Sequence, residues 1–258
     1  MDPQLSSPPP VRFNRLLPYW AVLQTDLRQT CQSWAYRLWV AVTVLGAGGS
    51  VAYKAGVHQQ AGIAQSASDR ASDLARGLGA AGLALVALLA VSAVGGERLT
   101  VADAVLSRGI SRRQYFLAKW HARLAVVLLT FGVLAGLVLA ANQWLLKADL
   151  TLGGAAAGCL LVAAALAVVV TWGVTIGALA NGTVLGITLF WLVIYGGLLA
   201  GSFLPESYPS PERVLDSLRA VLRGYYDPRA VGRVVLAAAG LSGAAAAVGL
   251  VGFGRKDV

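Results

Sequence analysis

Six long apolar stretches dominate this chain and restrict it to one kind of fold. They run near Leu38–Val57, Gly77–Gly96, Leu124–Ala141, Gly153–Ala180, Val184–Phe203 and Val231–Phe253. A helix needs about 20 residues to cross a hydrocarbon core roughly 30 Å thick, and these stretches have or approach that length. The third is short and borrows a turn from its flanks. The fourth is long, and Thr171, Thr175 and Asn181 soften its end. In hydrocarbon every backbone polar group must bond within the chain, so such runs are helices; barrel strands would read as short alternating segments. The composition agrees, with 57% hydrophobic and 13% charged residues and a mean hydropathy of +0.67. Soluble domains carry about 45–50% and about 25%. A soluble enzyme, a disordered chain and a secreted disulfide scaffold are thereby excluded. The expected fold is an all-α membrane protein with six transmembrane helices.

Charge distribution sets the expected orientation. With the N-terminus inside, segments 1–37, 97–123 and 254–258 hold twelve Lys and Arg against five acids, and the outer segments hold nine against seven. Cytoplasmic loops favour Lys and Arg, so both termini are expected in the cytoplasm. Topology then accounts for the formal charge of +9, and no aromatic-basic module calls for nucleic acid. Residues 1–15 read as a disordered Pro-rich N-terminus, 16–37 as an interfacial helix and 38–258 as the six-helix domain.

Three segments outside the spans carry helical patterning. In the first, Trp20, Leu23, Leu27, Cys31, Trp34 and Leu38 recur at spacings of three and four, with Gln24, Thr25, Asp26, Arg28, Gln29 and Gln32 on the other face. That is the pattern of an amphipathic helix with Trp at headgroup depth. In 97–123, Val101, Val105 and Leu106 share a side, Gly109 is a stop, and Ser111 is an N-cap for a helix carrying Arg112, Arg113 and Lys119 into the third span. In 204–230, Pro205 and Pro209 break the chain, and Ser210-Pro211 starts a helix whose stripe is Val214, Leu215, Leu218, Val221 and Leu222. This external insert is expected on, or dipping into, the outer leaflet.

Catalytic chemistry is missing. The chain has no phosphate-binding GxxxxGK[ST] loop, no GxSxG elbow and no HExxH, CxxC or His cluster, so neither a catalytic nor a metal site is expected. No carboxylate lies deep in a span, which disfavours an ion relay. Cys31 and Cys159 read as two buried free thiols. GxxxG pairs such as Gly132/Gly136, Gly173/Gly177 and Gly197/Gly201 allow close helix approach, within one chain or between two. Thr175, Asn181 and Thr188, around the turn between spans four and five, form the one polar cluster that suggests a pathway or dimer packing.

At 97–123 the sequence GERLTVADAVLSRGISRRQYFLAKW resembles the ABC-2 type permease family, the membrane subunits of ATP-binding-cassette transporters. Glu97, Leu106-Ser107, Ile110-Ser111-Arg112 and Lys119 match the family's pattern. Gly109 stands where Pro is usual, and Val101-Ala102 replaces a Gly-Thr pair. The ending Phe253-Gly-Arg255-Lys256-Asp257-Val258, the N-terminal amphipathic helix and the external insert match as well. The resemblance implies that 97–123 is a coupling helix seated on a separate ATPase subunit, with Asp103, Arg108, Arg112 and Arg113 as contacts and Glu97 as a cap or ion-pair residue. Arg98, Leu106, Gly109, Ser111 and Lys119 belong to the same coupling segment. It also implies two ATPase copies, a second permease chain in a homo- or heterodimer, and a multi-pass place in the bacterial inner membrane. This chain would then be no enzyme and would bind no cofactor; ATP and Mg would sit on the partner.

The expected function is therefore export of an unidentified substrate, driven by that ATPase. A mechanical transmitter acting on an external partner is the alternative. An ion-coupled secondary carrier lacks a buried acid, and an assembly protein without energy coupling would have no ATPase partner.

Overall fold

The computed structural model describes residues 16–61, 66–95, 110–145, 149–203 and 211–255. Among these, eight helices follow in order: α1 Leu17–Gln32, α2 Trp34–Ala61, α3 Ala67–Gly95, α4 Arg112–Leu145, α5 Leu152–Leu179, α6 Thr183–Ser202, α7 Pro211–Leu222 and α8 Pro228–Arg255. The protein is all-α, with no strand among the described residues. Helices α2, α4, α5, α6 and α8 are each long and apolar enough to cross a membrane. Helix α3 makes a sixth if its halves Ala67–Gly77 and Gly82–Gly95, which meet at a bend of 46°, count as one span. Glycines are a common cause of such bends, and Gly77, Gly79 and Gly82 lie there.

The short third stretch borrows far more than a turn. Helix α4 has 34 residues, about 51 Å at 1.5 Å per residue, so several turns lie beyond the hydrocarbon core. Its start is the N-cap expected at Ser111, which Gln114 completes as a capping box. The Gln114 N–H donates to Ser111 Oγ at 3.2 Å, and the Ser111 N–H donates to Gln114 Oε1 at 3.4 Å.

The interfacial helix ends earlier than its stripe suggests. Ser33 closes α1 and opens α2: its hydroxyl donates to Thr30 O at 2.8 Å and accepts from the Tyr36 N–H at 3.3 Å. Trp34 and Leu38 thus belong to α2. The faces of α1 also differ from the amphipathic reading. Asp26 and Thr30 are buried, whereas Trp20 is 59% exposed and Cys31 is exposed. The helix turns its Trp20 side outward and packs mainly on α4 through the side that carries Asp26. Cys31 is therefore no buried thiol, and Cys159 is half-buried; both are free.

The centre is a seam of α3, α5 and α8. Gly173 faces Ala90 so closely that an added Cβ would lie 2.5 Å from the Ala90 Cβ, and Gly177 meets the Val91 carbonyl. On α8, a Cβ on Gly249 would press on the Phe116 ring, and one on Gly252 on Leu179. Thr175 Oγ1 donates to Ala245 O at 3.0 Å across the α5–α8 contact. The Gly173/Gly177 pair thus serves packing within the chain. Gly132/Gly136 and Gly197/Gly201 have nothing within 4 Å of an added Cβ.

The external insert is buried against the protein rather than resting on lipid. Leu218, Val221 and Leu222 are buried, packed with Ala71, Ala157 and Leu161 of α3 and α5. Helix α7 ends in a Schellman motif: the Tyr225 N–H donates to Ala220 O at 2.9 Å, and the Gly224 N–H to Val221 O at 2.9 Å. Gly224 has φ +90, and a Cβ there would also lie 2.9 Å from Thr151 Oγ1, so glycine is required twice over.

The seam predicts a contrast between two glycines. Gly177→Val must displace α3 backbone and should cost at least the roughly 1–3 kcal/mol of an overpacked core. Gly136→Val projects into open space and should be near neutral. Thermal unfolding of the two purified variants in detergent measures the difference; equal losses would remove the seam from its central place.

Candidate functional site: a buried ion junction between α1 and α4

The coupling segment expected from the sequence falls mostly outside the described residues. Glu97, Arg98, Asp103, Leu106, Arg108 and Gly109 lie there. Ser111, Arg112, Arg113 and Lys119 are described, and they occupy the first two turns of α4 and its cap. Arg113 is exposed and Arg112 half-buried. Lys119 is different. Its side chain is 3% exposed, so it is an internal residue and no contact for another subunit.

What Lys119 meets is Asp26 of α1. Lys119 Nζ donates to Asp26 Oδ1 at 3.1 Å. One turn further along α4, an Arg123 Nη donates to the same Oδ1 at 3.2 Å, and Arg123 Nε lies 3.2 Å from Oδ2. That last approach is ionic only, since the Nε–H is not aligned on the oxygen. The Asp26 and Arg123 side chains are 1% and 7% exposed. The Lys119 ammonium also stands 5.3 Å from the centre of the Tyr115 ring, within cation–π range.

Helical periodicity builds this junction. Residues 119 and 123 are one turn apart and share a face of α4; residues 19, 22, 23, 26 and 30 share a face of α1. On that same face Tyr19 Oη lies 3.0 Å from His121 Nδ1, a hydrogen bond between α1 and α4. Tyr36 Oη is 3.1 Å from Thr130 Oγ1, which joins α2 to α4, and Trp120 Nε1 donates to Thr171 Oγ1 at 3.0 Å, which joins α4 to α5. Two α4 cations at i and i+4, just before an apolar run, are costly unless an acid meets them. Asp26 is the one acid between residues 16 and 61, so it was the available partner. Counting it among the solvent-facing residues of α1 missed this.

The opposite end of the bundle carries a second polar cluster. Arg223, just past α7, donates through Nε to Ser68 Oγ at 2.7 Å and to Asp149 Oδ2 at 3.0 Å, and through Nη to Ser66 Oγ at 3.0 Å and Asp69 Oδ1 at 3.2 Å. Arg219 also pairs with Asp69, and Arg76 with Asp216 at 3.1 Å. These bonds fasten the start of α3, the turn before α5 and the end of α7. Partial burial works to raise the Asp149 pKa, but hydrogen bonds from Ser66, Ser68 and Arg223 outweigh it and hold the carboxyl at about 2.

The polar cluster around the turn between spans four and five does not converge on a pathway. Thr175 is buried and bonded to α8, as above. Thr188 is exposed and donates to the carbonyl of its own preceding turn, Val184 O, at 3.1 Å. Asn181 is exposed in the turn between α5 and α6. Among the described residues no group of His, Cys, Asp and Glu could hold a metal ion. No model of a known protein family matches this chain, and no curated protein matches it.

Two outcomes follow from the polar ends. Asp26→Asn leaves two cations buried without their carboxylate and should cost about 3–5 kcal/mol. The triple change Asp26→Leu, Lys119→Met, Arg123→Met removes all the buried charge and should regain most of that loss, which thermal unfolding in detergent can compare. At the other end, the Asp149 contribution is complete above pH 3.8, its ordinary pKa, and is lost as pH falls toward about 2. Melting temperature in the wild type should drop across that window. Asp149→Asn should start lower at neutral pH and lose less across the same window.

Proposed function

We propose that this chain is the membrane subunit of an ABC-2 type, ATP-driven transporter, with both termini and the α1 end in the cytoplasm. The observation that carries the reading is the Asp26–Lys119–Arg123 junction. A membrane subunit with no nucleotide site of its own must take up force through a cytoplasmic protrusion. Segment 97–110 leads straight into the capped start of α4, and the junction ties that start to α1. A push on the protrusion would therefore move α4 and the interfacial helix together instead of being lost in a loose joint. The sequence resemblance at 97–123 and the inside excess of Lys and Arg support the same orientation. The positions of Arg112 and Arg113 on the first turn of α4 suit contact with an ATPase subunit.

In this reading two copies of the chain, or this chain and a related one, pair in the bacterial inner membrane, and two ATPase subunits carry ATP and Mg. The cargo is exported by movement of the paired spans. Close packing within the chain argues for a pathway between two chains rather than through one.

Charge reversal tests the assignment. Arg112→Glu with Arg113→Glu should abolish co-purification of the ATPase subunit that this reading requires and leave membrane insertion unchanged. Undiminished co-purification would remove the coupling role from the start of α4.

A further inference from the structure

Helix α1 has three sides. Asp26 and Thr30 face the protein and are buried. Trp20, Leu27 and Cys31 recur at helical spacing on the next flank, where Trp20 and Cys31 are exposed. Gln24, Arg28 and Gln32, all exposed, make the third side. Arg28 is three residues before Cys31, so it stands beside the apolar flank. Past the corner at Ser33, α2 begins with an exposed stripe of Trp34, Leu38, Ala41 and Leu45. Arg37, also exposed, lies in the first turn of α2 and is the last charge before its apolar run. Arg28 and Arg37 thus lie about one turn to either side of the corner.

Charge at this end is one-sided. Asp26 is the one acid here among the described residues, and Lys119 and Arg123 already hold it. The remaining described acids, from Asp69 to Asp227, belong to the opposite end: the first two turns of α3, α7, and the turns before α5 and α8. Arg28 and Arg37 therefore meet no carboxylate among the described residues. An exposed flank with Trp at its edge and Arg beside it suits a membrane surface of negative charge. The apolar side chains enter the headgroup region, and each Arg near the surface gains from anionic lipid.

We propose that the outward flank of α1 and the first turns of α2 seat anionic glycerophospholipid, with headgroups at Arg28 and Arg37 and acyl chains beside Trp20, Trp34 and Leu38. Charge complementarity selects this occupant. A neutral lipid would cover the tryptophans and gain nothing from the guanidiniums. An acidic soluble protein could pair the guanidiniums but could not follow the α2 stripe into hydrocarbon. Through Asp26, lipid held on α1 also holds the start of α4 near headgroup depth. The inference depends on the helices crossing a membrane and not on an ATPase partner, so either reading can fail while the other stands.

The exposed thiol of Cys31 reports on this flank directly. The full chain, with Cys159→Ser and a bimane fluorophore on Cys31, is placed in nanodiscs of phosphatidylcholine and phosphatidylglycerol in equal amounts. Bromine, a quencher, is carried on the acyl chains of one lipid or the other. Brominated phosphatidylglycerol should quench the more strongly, with a relative affinity at least about fivefold above phosphatidylcholine. Arg28→Gln and Arg37→Gln should each lower that preference severalfold, and the double variant should abolish it. Both residues are exposed, so neither change should unfold the chain. Bimane on α6, through Leu192→Cys in a chain with Cys31→Ser and Cys159→Ser, should show no preference. Equal quenching of the Cys31 probe by the two lipids would overturn the proposal. So would quenching by neither lipid, which would leave the flank in water or under another protein, or a preference that survives in the double variant.

Discussion

Lipid tails are as apolar as leucine, so burying leucine against leucine brings transmembrane helices no net gain. What holds such helices together is close contact and a few polar bonds. Here that constraint is met at the α3·α5·α8 seam. Glycine at 173 and 177 lets α5 reach the α3 backbone at Ala90 and Val91, and glycine at 249 and 252 lets α8 close over Phe116 and Leu179. Each absent Cβ allows many short dispersion contacts, small singly and large together. The Thr175 hydroxyl then fixes the register of α8 against α5 with one hydrogen bond in surroundings that hold no water to compete for it. The other helices are placed on this seam: α4 through Trp120 and Thr171, α2 through Tyr36 and Thr130, and α7 through its apolar stripe on α5.

Charge is confined to the two ends of the bundle, and the ends are built differently. At the α1 end a single carboxylate meets two cations in near-complete burial. Such a group contributes little net stability over an apolar substitute, but each member strongly fixes the geometry of the others, because any separation leaves a buried charge. At the α7 end several carboxylates, guanidiniums and hydroxyls share one another at partly exposed positions, where water screens each pair. The first arrangement suits a joint that must not slip; the second suits a fastening spread over many weak bonds.

The helices were legible because a hydrocarbon core demands long apolar runs, and those runs are visible without any neighbour. The Ser111 cap was legible for a similar reason: S-x-x-Q is a local bond pattern between residues three apart. Partnership across the bundle was not legible. Asp26 has the same charge and the same place in an amphipathic pattern whether it faces water or two α4 cations. Only the docking of α1 on α4 decides, and nothing local to α1 encodes that docking. The α7 stripe failed in the same way. An apolar stripe fits lipid and fits a protein surface equally well, and it took Gly154 and Gly158 on α5, which lie close against Val221, Leu222 and Leu218, to make protein its partner.

In the mechanical reading proposed above, α4 and α3 would play different parts. Helix α4 runs unbroken for 34 residues from the cap at Ser111 to the edge of the α7-end cluster, and the ion junction holds α1 to its first turns. A displacement at one end of such a rod arrives at the other with little loss, since no Pro or break interrupts its hydrogen-bond ladder. Helix α3, which packs against α4 and shares α2 and α5 with it as neighbours, has a bend of 46° amid its glycines. In the proposed reading, movement entering at the α1 end would pass along α4 to α3, which packs against it and carries that bend.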